Sequence, residues 1–255
     1  MSNAIEQFGF TAVPRSLDKL IATQSTKTTS KPVSVDDIDF PNTDLAKSIH
    51  AYAKENLPRK TYNHSMRVYY YGKFFKQSYS APYSKTDSKN AGRAIVEQHF
   101  PTWKCSSETL LLTALLHDIG TTPANHTSTH LSFEFAGGYI ALDLLKSHHA
   151  EVAQAESVAE TIIRHQDLGD TGMVSTLTAI VHFATVLDNA GLHGELVAKE
   201  TIESVVKAFP REEWTGCFAS VVRKECEIKP WSNTTRIEGF AEMVEANKLM
   251  EPYDG

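Results

Sequence analysis

The spacing of apolar residues along the chain predicts a protein built from α-helices. Beyond residue 41, apolar side chains recur at steps of three and four residues, between boundaries of Gly, Pro and small polar residues. We expect helices near 42–57, 60–77, 107–118, 132–147, 151–165, 174–190, 199–208, 211–228 and 237–249. No segment alternates convincingly between apolar and polar positions as a half-buried strand does. The predicted fold class is therefore all-α.

Two segments interrupt the helical pattern. Residues 1–40 carry clusters of Ser, Thr, Pro and Asp with little periodicity, so we expect an irregular N-terminal arm ahead of a helical domain over 41–255. Residues 76–99 are polar and punctuated by Gly and Pro, which predicts a loop or insertion with a short helix over 91–99. The chemistry is expected in the helical domain rather than in the arm.

Charge and composition narrow the class of protein. The chain of 255 residues has a formal net charge of −6, which gives no general attraction for a nucleic-acid backbone. No run of about 18–20 apolar residues would span a membrane, and the N-terminus lacks the basic start and apolar stretch of a secretory signal. Three widely spaced cysteines fit neither a disulfide framework nor a CxxC metal site. We expect a cytoplasmic protein with reduced thiols and with no nucleic-acid or membrane partner.

Ionisable side chains stand in apolar surroundings on three predicted helices. His117 and Asp118 end the segment SSETLLLTALLHD, Asp188 ends the segment AIVHFATVLD, and His64 lies in the helix predicted over 60–77. Burying such groups is costly unless they are paired or bind a cation, although a helix end that reaches solvent would explain His117 alone. Two imidazoles and two carboxylates form a nitrogen and oxygen donor set that suits Zn²⁺, Fe²⁺ or Mn²⁺ and leaves room for water.

The order of these four residues resembles the HD-domain superfamily of metal-dependent helical hydrolases. Its signature is one His, then an adjacent His-Asp pair, then a distant Asp, which the sequence matches at His64, His117, Asp118 and Asp188. The resemblance covers roughly residues 45–190. It implies an HD-domain helical bundle in which these four residues are the metal ligands.

A closer resemblance is to the fungal cyanamide hydratase family. It runs in the same order from about residue 8 to 250, through the blocks FGFTAVPRS, TYNHSMRVYYYG, LLHDIGTT, FEFAGG, ETIIRHQDLG, ATVLDNAG, FPREEW, RKE and KPW. The resemblance implies that 41–255 is a catalytic domain with a zinc cofactor and that the small-molecule substrate is cyanamide, hydrated to urea. Whether the chain forms a homo-oligomer is left open, because the sequence has no heptad repeat that would fix the number of chains.

Further residues are expected beside the metal. His165 stands where a predicted helix meets a Gly turn, and HD proteins commonly set a further His facing the metal there. We therefore expect His165 to orient or protonate the substrate nitrogen. Asp167, two residues on, could instead accept a hydrogen bond from His165 and fix its tautomer. Thr185 lies one helical step before Asp188. Its hydroxyl should line the cavity, or else donate its hydrogen bond to a backbone carbonyl of the preceding helical turn. His165, Thr185 and Asp118 are the predicted catalytic residues, and Asp118 is also a predicted ligand.

The predicted reaction is a metal-assisted hydration. A divalent ion lowers the pKa of bound water from about 15.7 toward about 7. We expect a zinc-bound hydroxide to attack the nitrile carbon of cyanamide while His165 transfers a proton, giving isourea and then urea.

Two alternatives predict different surroundings for the metal. An HD-type phosphohydrolase acting on nucleotides or another small phosphate ester would need basic residues at the metal. Thr121 follows HDIG where HD phosphodiesterases often carry Lys, and Arg67 lies one helical step from His64. A non-catalytic helical binding module is disfavoured, because none of the four signature residues is missing.

A few polar residues outside this set bear on substrate preference. His126 and His130 follow the metal pair in a loop that could form a lid, whereas His182 is expected to be a core or interface residue. After KPW the sequence reads SNTT, where relatives place a His before the paired Thr, and Asn233 would mimic that His only in part.

Overall fold

Helices make up most of the fold, and the predicted all-α class is confirmed. The structure, a computed structural model, describes residues 2–22, 31–74, 100 and 103–255. In chain order the helices are α1 Ser2–Gln7, α2 Leu17–Ala22, α3 Asp44–Asn56, α4 Arg59–Phe74, α5 Ser107–Leu116, α6 Pro123–Thr127, α7 Phe133–Ser147, α8 Val152–Arg164, α9 Thr176–Ala190, α10 Lys199–Ala208, α11 Trp214–Ile228 and α12 Phe240–Glu245. Within these described helices, none has the length and apolarity needed to cross a bilayer.

Local sequence signals account for the helix ends. The hydroxyls of Thr43, Ser106 and Ser175 each accept a backbone N–H from the first turn of α3, α5 and α9. Gly191 ends α9 in the left-handed conformation, with a φ of 69° that glycine adopts without strain. Helix α12 is shorter at both ends than the predicted 237–249, and it begins only at Phe240 because Gly239 has a left-handed φ of 64°. The predicted insertion at 76–99 and the helix over 91–99 lie outside the described residues.

One short pair of strands was not predicted from the sequence. Strand β1, Ala12–Pro14, pairs antiparallel with β2, Met173–Ser175, so that Val13 faces Val174. Each strand has three residues, which is too short for alternation to show in the sequence. The pair fastens the N-terminal segment to the loop that leads into α9.

The N-terminal segment lies on the helical body. Val13, Leu20, Val33 and Ile38 are buried in the same apolar cluster as the central helices. The segment is less irregular than its composition suggests, since α1, α2 and a 3-10 turn at Val35–Asp37 form within it. The division of the chain at residue 40 stays a prediction.

The core is built around α5 and α9, which are buried over nearly their whole length. Helix α4 packs on both, and α8 packs on α5, α7 and α9. All residues of α5 from Thr109 to Leu116 are buried, as are those of α9 from Thr176 to Asn189. A polar group at the C-terminal end of either helix is therefore buried inside the protein.

Helices α11 and α12 form a second apolar layer over this core. They pack mainly on each other, through a cluster of their own that contains Trp214, Phe218, Ala219, Val222, Ala241 and Val244. The layer lies beside the C-terminal ends of α5 and α9, so its side chains face the polar groups there.

Candidate metal centre

Three of the predicted ligands come together in the core. His64 is on α4, and His117 and Asp118 follow the last turn of α5. One donor atom from each lies within 4.8 Å of the others. The Nε2 atoms of the two histidines are 3.1 Å apart, and Oδ2 of Asp118 lies 3.4 Å from Nε2 of His117 and 3.6 Å from Nε2 of His64. The side chains are at most 1% exposed.

The partners of the two histidines decide which ring nitrogen carries the proton. Nδ1 of His117 donates to the carbonyl oxygen of Ala114 at 2.8 Å, and Nδ1 of His64 donates to a carboxylate oxygen of Asp188 at 2.6 Å. Both acceptors require a proton on Nδ1, so in the neutral ring each Nε2 offers a lone pair. The two Nε2 atoms thus face each other without a hydrogen between them.

Burial keeps these rings neutral. It lowers the pKa of His64 and of His117 to about 4 each, against an ordinary value near 6.5, and outweighs the opposing effect of the nearby carboxylates and backbone carbonyl. Burial also raises the pKa of Asp118, although His64 and His165 partly oppose this rise.

The donor set fits a divalent cation. Both carboxylate oxygens of Asp118 are buried, and neither has a hydrogen-bond partner within the described residues. Two lone pairs and an unpartnered carboxylate gathered in a dry core would be costly without a positive charge between them. Two imidazoles and a carboxylate suit zinc and other divalent first-row ions, and they leave positions for water and substrate.

Asp188, the predicted fourth ligand, does not join this group. Its Oδ2 contacts Nδ1 of His64, on the side of the ring away from the shared space between the Nε2 atoms. Both of its oxygens also accept from arginines, Arg67 on α4 and Arg211 before α11. Burial disfavours the charged carboxylate, but these two guanidinium groups outweigh it and hold the pKa of Asp188 well below its ordinary value.

His165 lies beside the group at the end of α8. Its Nδ1 donates to the carbonyl oxygen of Ile162 at 2.7 Å, so its Nε2 is the free basic nitrogen. That Nε2 lies 3.8 Å from Oδ1 of Asp118. Burial, with a smaller contribution from His117, lowers the pKa of His165 to about 3. Asp167 does not hold its tautomer as suggested, because that carboxylate pairs with arginines instead.

Thr185 lies on α9 at the edge of the same space. Its hydroxyl donates to the carbonyl oxygen of Val181 at 2.8 Å, with a second contact of 3.1 Å to that of His182. The hydroxyl proton therefore lies in a hydrogen bond to the preceding helical turn, which was one of the two interpretations drawn from the sequence. The oxygen still lines the cavity and keeps a lone pair that can accept.

The cavity at the metal centre is small, and side chains of α11 and α12 line one side of it. Its volume is about 20 Å³, enough for one or two molecules the size of water. The polar residues of its lining are His117, Asp118, His165, Gln166, Thr185 and Asn189. The apolar residues are Leu168, Val186, Ala190, Phe218, Ile237, Phe240 and Met243, and no Lys or Arg of the described residues lines it.

The loop histidines and Asn233 do not line this cavity. His126 is buried, and its Nε2 contacts a carboxylate oxygen of Glu225 at 2.6 Å. His130 is exposed, and its carbonyl oxygen accepts from the indole of Trp231. Asn233 donates to the buried carboxylate of Glu134 at 2.8 Å. These contacts join the loop after the metal pair to the C-terminal segment.

Two residues of this site were missed by sequence reasoning. The indole of Trp214 stacks on His64, with ring centroids 4.4 Å apart and planes 14° from parallel. Arg211 lies fully buried against Asp188. Both occur in the block FPREEW, which carried the resemblance, but no local pattern indicates that an arginine after a Pro is buried.

Comparison with known proteins defines the class of this molecule. The HD domain family model matches residues 61–202, more than half of the chain, and the chain belongs to that family. Two relatives from Saccharomyces cerevisiae, the cyanamide hydratases DDI2 and DDI3, are each 35% identical to it over 245 residues, which is 95% of this chain and 98% of each relative. The predicted resemblance to the HD superfamily and to the fungal cyanamide hydratases is confirmed.

Proposed function

We propose that this chain is a cyanamide hydratase that adds water to the nitrile of cyanamide and releases urea, with zinc held by His64, His117 and Asp118. The observation that carries the proposal is the set of buried donors around one point, two Nε2 lone pairs and a carboxylate without partners. The full-length similarity to two cyanamide hydratases supplies the substrate. Fe²⁺ or Mn²⁺ would also suit these donors.

Zinc bound there would acidify a water molecule and stabilise negative charge on the substrate. The residues of the chain then move the proton. Nε2 of His165 carries the lone pair of the neutral ring, because its Nδ1–H is committed to the backbone. It takes a proton from the attacking water as the oxygen bonds to the nitrile carbon, and it returns that proton to the nitrile nitrogen. The product is isourea, and transfer of its O–H proton to nitrogen gives urea.

Asp118 and Thr185 orient the reactants. Asp118 has two carboxylate oxygens, so one can bind the ion while Oδ1, on the side of His165, accepts from water or from the substrate amino group. The Thr185 oxygen has its proton fixed on the helix backbone and can therefore only accept, which suits an N–H donor of cyanamide.

The size and charge of the cavity favour cyanamide over the alternative, a phosphate ester. A cavity of about 20 Å³ admits a molecule of three heavy atoms after a modest side-chain adjustment, whereas a nucleotide would require α11 and α12 to separate from the core. Arg67, the basic residue that sequence placed near the metal, is fully buried and pairs with Asp188. A phosphate would thus meet no free cationic side chain within the described part of the site.

Two assays on one preparation test this function. Metal content is measured by elemental analysis, and urea formed from cyanamide is measured beside phosphate released from a panel of nucleotides. We expect about one zinc per chain, urea formation that is lost on chelation and restored by zinc, and no phosphate release. Phosphate release without urea formation would instead identify a phosphohydrolase, and a metal-free protein inert in both assays would point to a binding module.

A further inference from the structure

The carboxylate of Asp188 has no lone pair left for a metal. Oδ1 accepts from Nε of Arg67 at 2.9 Å and from Nη1 of Arg211 at 2.8 Å. Oδ2 accepts from Nδ1 of His64 at 2.6 Å and from Nη2 of Arg67 at 2.9 Å. A carboxylate has about four acceptor positions, so four donors fill it. Asp118 is the opposite case, with neither oxygen partnered among the described residues.

The arginines that hold Asp188 are themselves fixed. Nη1 of Arg67 donates to the carbonyl oxygens of Phe209 and Pro210. Arg211 donates through Nε to Asp254 at 2.8 Å and through Nη1 to the carbonyl oxygen of Asp188 at 3.0 Å. Turning the Asp188 side chain toward the Nε2 side of His64 would break these charge-assisted bonds, remove the carboxylate paired with the buried Arg67 and leave Arg211 paired with Asp254 alone.

The His64 ring is constrained in two independent ways. Trp214 stacks on its face and fixes the plane of the ring. Asp188 accepts from its Nδ1 and fixes both the rotation within that plane and the tautomer. With both constraints in place, Nε2 points to the space shared with His117 and Asp118.

We propose that Asp188 is a positioning residue for His64 rather than a metal ligand, and that Arg67 and Arg211 hold it in this role. The centre then has three protein ligands, His64, His117 and Asp118, and its remaining positions are left for water and cyanamide. The inference rests on the proposed metal centre and changes its ligand number. It also explains two buried arginines beside a site whose reaction does not use them.

Zinc affinity of matched variants tests the role. Asp188→Asn keeps an acceptor for Nδ1–H of His64, Asp188→Leu removes it, and Asp118→Asn alters a proposed ligand. By competition with a chromogenic chelator, we expect Asp188→Asn to bind one zinc with affinity reduced about 10–100-fold, as for loss of a residue that orients a ligand. Asp188→Leu should bind far more weakly, and Asp118→Asn should lose stoichiometric zinc. Equal losses in Asp188→Asn and Asp118→Asn would overturn the inference.

The metal-free stability of the same proteins gives a readout that does not depend on activity. Neutralising Asp188 removes the carboxylate paired with Arg67 and leaves Arg211 paired with Asp254 alone, so Asp188→Asn should lower the Tm of the metal-free protein. Neutralising Asp118 removes a buried charge without partners, so Asp118→Asn should leave that Tm unchanged or raise it. A raised Tm for Asp188→Asn would contradict the paired state on which the inference rests.

A crystal structure of the zinc-loaded wild-type protein completes the test even where a variant fails to fold. We expect zinc on Nε2 of His64, Nε2 of His117 and Asp118, with Asp188 still on Nδ1 of His64. An Asp188 oxygen about 2.0–2.2 Å from zinc would overturn the positioning role and leave the hydratase proposal standing. Failure of the wild type to bind zinc would overturn both, whereas zinc bound as expected without urea formation would overturn the hydratase proposal alone.

Discussion

Nε2 of His64 and Nε2 of His117 face each other at 3.1 Å, each with its proton on the opposite ring nitrogen. Two such lone pairs repel at this distance unless a cation lies between them. The arrangement is held by contacts on the far side of each ring, with Asp188 for one and the Ala114 carbonyl for the other. These contacts direct both lone pairs at one point, where a divalent cation would bind.

Metal binding should stabilise the protein strongly. Zinc at about 100 times its Kd would add about 2.7 kcal/mol to the free energy of unfolding, which corresponds to a rise in Tm of about 5–10 °C for a chain of this size. Differential scanning calorimetry of metal-free protein with and without zinc measures this shift. His117→Ala removes one of the facing nitrogens and should abolish both the shift and the urea activity. The same shift in that variant would place the ion elsewhere.

Acid should destabilise the metal-free protein over a defined range of pH. The buried imidazoles of His64, His117 and His182 have pKa values lowered to about 4, and that of His165 is lowered to about 3, against 6.5 when unfolded. Between pH 6.5 and about 4 the unfolded chain therefore binds more protons, so stability is complete above pH 6.5 and is lost as the pH falls.

Denaturant titrations from pH 7.5 to 4 measure this dependence. His182 lies off the metal cavity, with Nε2 donating to the Arg164 carbonyl at 2.7 Å, so His182→Gln should reduce the slope by about 1.4 kcal/mol per pH unit. His148 is exposed, and His148→Gln is the matched control that should leave the slope unchanged. An equal slope in wild type and His182→Gln would show that this imidazole is not held neutral.

His165→Gln should separate proton transfer from metal binding. Glutamine can donate to the Ile162 carbonyl but has no basic nitrogen, so we expect kcat for urea formation to fall about 10²–10⁴-fold, with zinc content unchanged. His182→Gln serves as the control, since it removes a buried imidazole that does not line the cavity. Retention of full turnover by His165→Gln would exclude His165 as the proton carrier.

Thr185→Val should weaken orientation of the substrate without loss of zinc. Valine has nearly the same shape but cannot accept from an amino group, so loss of one hydrogen bond should lower kcat/KM about tenfold. Thr113 is a matched control, because it is buried, does not line the cavity and donates to the Thr109 carbonyl at 2.8 Å in the same way. Equal effects of Thr185→Val and Thr113→Val would reduce the Thr185 role to packing.

Enlarging the cavity should change substrate size preference. Met243 of α12 lines the cavity beside Phe240, and Met243→Ala removes three heavy atoms from its wall. We expect the ratio of kcat/KM for dimethylcyanamide to that for cyanamide to rise about tenfold or more, the scale on which added methyl groups are discriminated. Met173→Ala, at an exposed position, should leave the ratio unchanged. A constant ratio in Met243→Ala would show that α12 does not limit substrate size.

Much of the fold and of the donor set could be predicted from local pattern. The caps at Ser106 and Ser175 and the apolar runs of α5 and α9 lie within single segments, so they are visible in sequence. The 12–14 and 173–175 strand pair was not visible, because its partners are brought together only by the fold. The same holds for Arg211, whose burial depends on Asp188.

The sequence by itself determined the helices and the identities of the imidazoles and carboxylates near the centre, because helix propensity, capping and chemical type are properties of neighbouring residues. Only the tertiary structure decided what each group does. It placed Asp188 on Nδ1 of His64 with two arginines, left both oxygens of Asp118 without partners among the described residues, and lined the cavity with side chains of α11 and α12. Tautomer, ligand number and cavity size arise from contacts between residues far apart in the chain, which no local pattern records.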